Sequence, residues 1–277
     1  MMYLENFQLN LEDRRVYPYR TIYPMQLESI ELAPITIFYG SNGCGKSTLL
    51  NIIAEKIGLS SKTLGNTNEY FTGYARKCTF TEGRKGIPQD SMLIRSEDIM
   101  AYITDVRKKN AEKDKIVKSW FRNELAPSER DTLAGELQVQ QDFEDFYDRL
   151  DGQKSFHHIV ASKLSSKVEE ESNGETAISY YKDRLWADNL YLLDEPENSM
   201  SPVYQQELAR YIAIMAYRLN TQFVIATHSP FILSMEGARI YDLDSQPSQI
   251  RQWFELDNMK EYFKLFRKYE SKFNLYI

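Results

Sequence analysis

Only two cysteines, Cys44 and Cys78, occur in the 277 residues, and they are far apart. A disulfide framework and a cysteine-built zinc site are therefore not indicated. No apolar run approaches the roughly 18 residues that a membrane-spanning helix requires. The opening residues Met1-Met2-Tyr3-Leu4-Glu5-Asn6 lack the apolar core of a signal peptide. Positive charge is not in excess: 34 Lys and Arg stand against 40 Asp and Glu, a net charge of −6. Bulk electrostatics thus gives no support to non-specific nucleic-acid binding, although a local basic face remains open. Histidine is scarce, and His157 and His158 are adjacent, with no carboxylate or cysteine at ligand spacing. Neighbours in sequence do not share a helix face, so these two read as surface or core and not as metal ligands. Repeats and low-complexity tracts are missing too. What remains is 42% apolar and 27% charged, the profile of a soluble globular chain with room for one large α/β domain or two small ones. A reducing cytoplasm is the expected location, without membrane insertion.

Against these absences one stretch stands out, Gly40-Ser41-Asn42-Gly43-Cys44-Gly45-Lys46-Ser47. It matches the phosphate-binding pattern G-x-x-x-x-G-K-[ST]. The β-branched and aromatic run Ile35–Tyr39 before it reads as a buried strand. The run Thr48–Ile57 after it has helical apolar spacing and stops at Gly58. Strand, glycine loop and helix together aim backbone N–H groups and a helix N-terminus at one anion. Gly43 and Gly45 are needed where a Cβ would meet the phosphate or forbid the backbone angles. Lys46 is placed to reach β- and γ-phosphates, and Ser47 to ligate Mg²⁺. Asn42, Cys44 and Thr48 complete the expected phosphate contacts.

Upstream, Tyr3–Leu11 alternates loosely as a strand, and Met25–Leu32 reads as a second. The connector between them is rich in tyrosine and proline. An aromatic face there suits a purine ring, and core packing is the alternative for each of Tyr17, Tyr19 and Tyr23. Downstream, the Gly-, Thr-, Ser- and Asn-rich span 60–86 suggests loops and short strands. Ser91–Glu97 reads as a strand, and a helix is expected from Ile99. Between Arg107 and Arg122 there are seven basic and two acidic residues; between Glu124 and Asp151, nine acidic and two basic. That change of sign marks a mostly helical insertion, either solvated, self-paired, or a face for a partner.

A second sharp signal is Asn189-Leu190-Tyr191-Leu192-Leu193-Asp194-Glu195-Pro196. Four apolar residues ending in two carboxylates describe a buried strand that delivers acids to its C-terminal end, where open parallel sheets bind ligands. Asp194 is expected to hold Mg²⁺ through its water shell, and Glu195 to orient and polarise the attacking water. Ser201-Pro202 then signals a helix start. The strand Phe223–Thr227 ends at His228, placed to sense a γ-phosphate. Arg239–Leu243 reads as a last strand, and Met259, Tyr262, Phe263, Phe266 and Tyr269 line one side of a C-terminal helix.

In this order the pieces resemble an ABC-type ATPase, most closely the soluble AAA-like predicted ATPases allied to RecF and SMC proteins. The resemblance implies an α/β P-loop NTPase sheet of ABC-ATPase type with a helical insertion carrying the signature motif. It further implies one domain over residues 1–277, with the insertion and signature subdomain at 100–186. Ser172-Asn173-Gly174-Glu175 matches the signature, His228 the switch histidine, and 197–202 the loop that crosses a dimer interface. Two protomers would sandwich two ATPs, with Ser172 and Gly174 of one touching the γ-phosphate held by Lys46 of the other. The sequence departs from the family twice. The loop after the acidic strand lacks the Asp usual in transporter subunits. No glutamine ends the strand near Leu93, where Gln89 precedes and Glu97 follows.

An ATP-hydrolysing switch that gates a partner effector, in a defence or regulatory complex, is the reading these features lead to. A transporter subunit and an SMC-like DNA-binding ATPase are the alternatives. The phosphate loop carries the first test. A charge-assisted bond contributes about 1.5–3 kcal/mol, so Lys46→Ala should weaken ATP binding at least about tenfold. Titration of a fluorescent ATP analogue into folded mutant protein measures this, and unchanged affinity would remove Lys46 from the site.

Overall fold

The computed structural model describes residues 2–59, 69–124 and 173–273. It divides into two compact units, residues 1–100 with 173–277, and residues 101–172. Ser172, His157, His158 and the acidic half of the insertion lie outside the described residues. Elements are numbered here over the described residues alone.

The first unit is built on a six-stranded sheet whose central strands are continuous apolar runs. β3 (Ile35–Tyr39) and β7 (Gln222–Ala226) are buried at all five positions, and β6 (Leu190–Asp194) at its first four. Such runs suit parallel strands covered on both faces. The strand order is β5-β6-β7-β3-β8-β9, with β5 (Met92–Arg95) at one edge and β8 (Arg239–Asp242) and β9 (Gln249–Arg251) at the other. Pairing is parallel from β5 to β8, and only β9 runs antiparallel. Because β3, β6 and β7 are neighbours pointing one way, their C-terminal loops emerge side by side. That is where such sheets bind ligands.

A second, antiparallel sheet has the order β2-β1-β4, formed by β1 (Leu4–Gln8), β2 (Ser29–Glu31) and β4 (Thr79–Glu82). Helix α2 (Lys46–Ile57) joins the two sheets through one core: its Leu49, Leu50, Ile52 and Ile53 cluster with Phe7 and Ile30 on one side and Phe38, Leu192 and Val224 on the other. Gly58, left-handed at φ 75°, ends α2. α1 (Tyr19–Ile22) and α3 (Glu69–Lys77) complete this part. The remaining helices are α4 (Ser96–Glu124), α5 (Asn173–Arg184), α6 (Pro202–Arg218), α7 (Pro230–Leu233), α8 (Asp257–Lys268) and α9 (Glu270–Phe273). The first five residues of α4 belong to the first unit. Among the described residues, no helix is long and apolar enough to cross a membrane.

Several elements differ from the sequence expectation. The 69–77 stretch is helical, because Phe71, Tyr74 and Ala75 make a short buried i, i+3, i+4 stripe that its polar surroundings conceal. Within Met25–Leu32 only Ser29–Glu31 is strand. Tyr23–Met25 is a 3-10 turn, and Gln26 turns left-handed at φ 48°. β5 stops at Arg95 and α4 begins at Ser96, its first turn carrying Glu97 and Asp98. Asp98 accepts from the Arg95 backbone N–H at 3.0 Å. Ser201 precedes Pro202 as expected, yet its side chain makes no capping bond. β8 is followed by the further strand β9. Along α8 only Met259 is buried, while Tyr262, Phe263 and Phe266 are exposed.

One buried side chain ties the two sheets. Gln222, fully buried at the start of β7, accepts from the Tyr3 and Leu4 backbone N–H groups, both at 2.9 Å. Its amide donates to the carbonyls of Leu4 at 2.8 Å and Ala33 at 3.3 Å. Truncation would leave these main-chain groups unpaired in a place water does not reach. Gln222→Ala is therefore expected to lower stability by about 2–4 kcal/mol. Urea denaturation measures the difference, and an unchanged midpoint would show that the clamp contributes nothing.

Candidate active site

The glycine loop between β3 and α2 is fixed by backbone geometry and by lack of space. Gly43 and Gly45 have φ of 83° and 108°, which side-chain-bearing residues rarely adopt. A Cβ on Gly45 would also lie 2.5 Å from Met25 Cε and 2.7 Å from Thr21 Cγ2. Asp244, beyond β8, holds the start of the loop by accepting from Ser41 N at 2.7 Å and Ser41 Oγ at 2.8 Å.

Lys46 opens α2 and is only 4% exposed. Its Nζ donates to the carbonyls of Gly40 at 2.9 Å and Ser41 at 3.2 Å, and stands 2.7 Å from His228 Nε2. An ammonium can only donate, so Nε2 is the acceptor of a neutral imidazole. Burial, and then the Lys46 charge, hold His228 below the ordinary histidine pKa, in keeping with that tautomer.

Two carboxylates follow at the end of β6. Asp194 Oδ1 accepts from Ser47 Oγ at 2.9 Å. Burial pushes the Asp194 carboxyl up to about 6; Ser47 opposes the shift, while Glu195 and Glu97 add to it and Arg95 opposes it. Arg95 is the register partner of Asp194 across β5 and β6, and its guanidinium donates to Asn51 Oδ1 at 2.7 Å. Glu195 takes a left-handed φ of 47°, a strained backbone for a residue with a side chain. Its N–H donates to Ala226 O at 2.9 Å, and its Oε2 accepts from Asn198 Nδ2 at 2.9 Å.

Asn42, Gly43, Gly45, Lys46, Ser47, Thr48, Glu195 and His228 line one open cavity of about 920 Å³. Cys44 lines a neighbouring pocket with Arg20, Asp244 and Gln246. Gly174 does not line the cavity. It sits in the first turn of α5 against Tyr204, whose ring leaves no room for a Cβ. Of the three connector tyrosines, Tyr17 lies nearest the loop, its hydroxyl 3.5 Å from Thr48 Oγ1 and its ring stacked on Phe71. Tyr19 is buried edge-on against Tyr74, and Tyr23 is about one-third exposed. Sequence reasoning missed Asp244 and Arg95, which have no motif spacing to mark them, and placed Glu197 only in the loop after the acidic strand, without its bonds to the His228 turn. It also missed Asn258 and Tyr262 of α8, which join the cavity wall.

Among the described residues no cluster of three or more His, Cys, Asp or Glu side chains could hold a metal alone. Ser47 Oγ and Asp194 Oδ1, both hard oxygens, fit Mg²⁺ nonetheless. That ion is commonly bound by one or two protein oxygens plus substrate phosphates and water.

A family model described as ABC transporter matches residues 28–198, more than half of the chain. The chain belongs to this family. A second model, an AAA domain whose description names the AbiEii toxin and type IV TA systems, matches residues 175–234. No curated protein matches. Among solved structures, the chain is similar to a nucleotide-free ATP-binding cassette from an ABC transporter, at 15% identity, 90% coverage of each chain and a TM-score of 0.43. It is also similar to the SMC head domain from Thermotoga maritima, at 13% identity, TM-score 0.40, covering 91% of this chain and 99% of that one. At these TM-scores neither adds to what the family match shows. As an ABC-type nucleotide-binding domain, the chain belongs to a family that binds ATP, typically with Mg²⁺.

Asp194 makes the electrostatic cost of this site measurable. Its carboxyl holds a proton to about pH 6 in the folded protein, against an ordinary value of 3.8. Between those values the folded state binds more protons, so stability falls as pH rises through that window. In metal- and nucleotide-free protein, Asp194→Asn should therefore stabilise by about 2–3 kcal/mol at pH 8 and by about half as much at pH 5. Urea denaturation at the two pH values checks both size and sign. A mutant no more stable at pH 8 would show that the buried charge carries no penalty.

Proposed function

We propose that the protein is a Mg²⁺-dependent ATP hydrolase that dimerises around ATP and uses the cycle to gate a partner protein. The observation that supports this most is the meeting of Lys46, His228, Ser47 and Glu195 at one cavity, with Asp194 bonded to Ser47 behind it. The backbone N–H groups of the loop and the α2 N-terminus would cradle the β- and γ-phosphates. Lys46 would turn from the carbonyls of Gly40 and Ser41 to the phosphate oxygens. Mg²⁺, held by Ser47 and through Asp194, would neutralise phosphate charge. Glu195 would orient the attacking water and take its proton, and His228, released from Lys46 and in the tautomer that carries its proton on Nε2, would donate to the γ-phosphate.

The cavity is open on one side. Family membership and the position of Gly174 away from its own cavity support a head-to-tail arrangement with twofold symmetry. In it, Ser172 and Gly174 of the facing chain would close over the γ-phosphate. The short AAA-domain match favours a gated partner in a toxin–antitoxin-like or other defence setting. The longer ABC transporter match favours a second reading, the nucleotide-binding subunit of a transporter; stable association with a membrane permease would establish that one instead.

Glu195→Gln keeps the shape of the side chain and removes its charge. Losing a general base costs about 10²–10⁴-fold, so the mutant should bind ATP, hydrolyse it that much more slowly, and accumulate as a dimer. Light scattering with and without ATP measures the mass, and Ser172→Arg should keep the protein monomeric while it still binds ATP. Hydrolysis near the parent rate would remove Glu195 as base, and a monomer at saturating ATP would remove the gated dimer.

A further inference from the structure

Glu195 and Glu197 are two residues apart in sequence, and the motif accounts for only the first. Glu197 lines the same cavity, but its Oε1 is committed to the turn that follows β7. Its Oε1 accepts three hydrogen bonds, from Thr227 Oγ1 at 2.7 Å, His228 N at 2.8 Å and Ser229 N at 3.1 Å. Two consecutive backbone N–H groups closing on one carboxylate oxygen form an anion nest. The other oxygen, Oε2, is buried and without a hydrogen-bond partner. The carboxylate's bonding is thus spent on this turn, in a place where an ionised group is costly unless it is well bonded.

A second side chain from the same region reinforces the tie. Gln205 of α6 accepts from Ser229 Oγ at 2.8 Å and donates to Met200 O at 3.0 Å. The turn is also fixed within itself, by Ser229 N donating to Thr227 Oγ1 at 2.9 Å. The next link is the functional one: His228 places its Nε2 on Lys46 Nζ. A continuous path therefore runs from the loop after β6, through one carboxylate, to the imidazole that faces the phosphate-binding lysine.

We propose that Glu197 is a positioning residue that locks the loop after β6 to the His228 turn, so that the two move as one piece. The proposal rests on the hydrolytic reading of the cavity for its effect on rate, but not for its effect on the turn. Glu197 need not touch nucleotide. It sets where His228 stands, and a displacement of residues 196–201 by a facing chain would be delivered to His228.

Hydrogen exchange and kinetics on the full chain test this. In Glu197→Ala the amides of His228 and Ser229 should exchange at least about tenfold faster, with the α2 amides unchanged. Glu197→Gln, which keeps an acceptor oxygen, should restore most of the protection. The same Ala variant should lower kcat at least about tenfold and leave ATP affinity within about twofold. In a His228→Ala background the further loss from Glu197→Ala should be under about twofold, because a residue acting through His228 has nothing left to position. Unchanged exchange at residues 228–229, or full additivity of the two kinetic losses, would overturn the proposal. If the parent protein hydrolyses no ATP, the hydrolytic reading fails, and the exchange comparison still decides whether Glu197 holds the turn. Should Glu197→Ala not fold, Glu197→Asp, which withdraws the carboxylate by one methylene, carries the same comparison.

Discussion

A buried ammonium group is the constraint on which the first unit depends. Lys46 has almost no contact with solvent, and a charge in that position must be solvated by the protein. Two carbonyls of the glycine loop and one imidazole do so. The loop and the imidazole come from different parts of the architecture, and each has further support. The loop is held at Ser41 by Asp244, which arrives from the far side of β8. The imidazole is held by the turn after β7. The lysine itself is held by α2, which the core clamps between two sheets. These partners are also of the kind that a phosphate can replace: neutral acceptors giving way to an anionic one. A phosphate oxygen, being charged, would satisfy the ammonium better than these neutral acceptors.

The acid side of the site shows the opposite economy. Asp194 and Glu195 are adjacent carboxylates, the first pushed well up in pKa by burial and the second on a left-handed backbone at the open cavity. Neither condition favours folding. Both are offset by a sheet in which β3, β6 and β7 are almost wholly buried, so the strain sits at the end of well-packed strands. Such a pair is tolerable where a divalent cation and a polyphosphate are expected to arrive.

The phosphate loop, the acidic strand and the histidine were legible because each combines a fixed residue spacing with a strand of unmistakable composition. The packing of β3 between β7 and β8 was not written locally; it follows from crossovers that only the folded chain displays. Helix α3 stayed hidden because three buried residues in nine are too few to assert a period against a polar, Gly-containing background. Glu197 was visible as a residue but not as a contact, since its partners lie 30 to 32 positions away. Asp244 is 203 positions from Ser41. The glutamine missing near Leu93 leaves Arg95 and Glu97, both of which act electrostatically on Asp194. No motif marks them, and only the register of β5 against β6 shows that Arg95 stands beside that acid.

The Gln222 clamp orders events in time as well as space. Its partners Tyr3 and Leu4 leave the ribosome before it, and Gln222 follows 218 positions after Leu4. At about 5–20 residues per second that interval is about 10–40 s. Throughout it the Tyr3 and Leu4 N–H groups and the Leu4 carbonyl lack their Gln222 partner, however complete the small sheet becomes. The first strand is thus made long before the side chain that secures it. A nascent chain interrupted before β7 would hold the phosphate loop and the acidic strand with the amino-terminal edge of the molecule still unlatched.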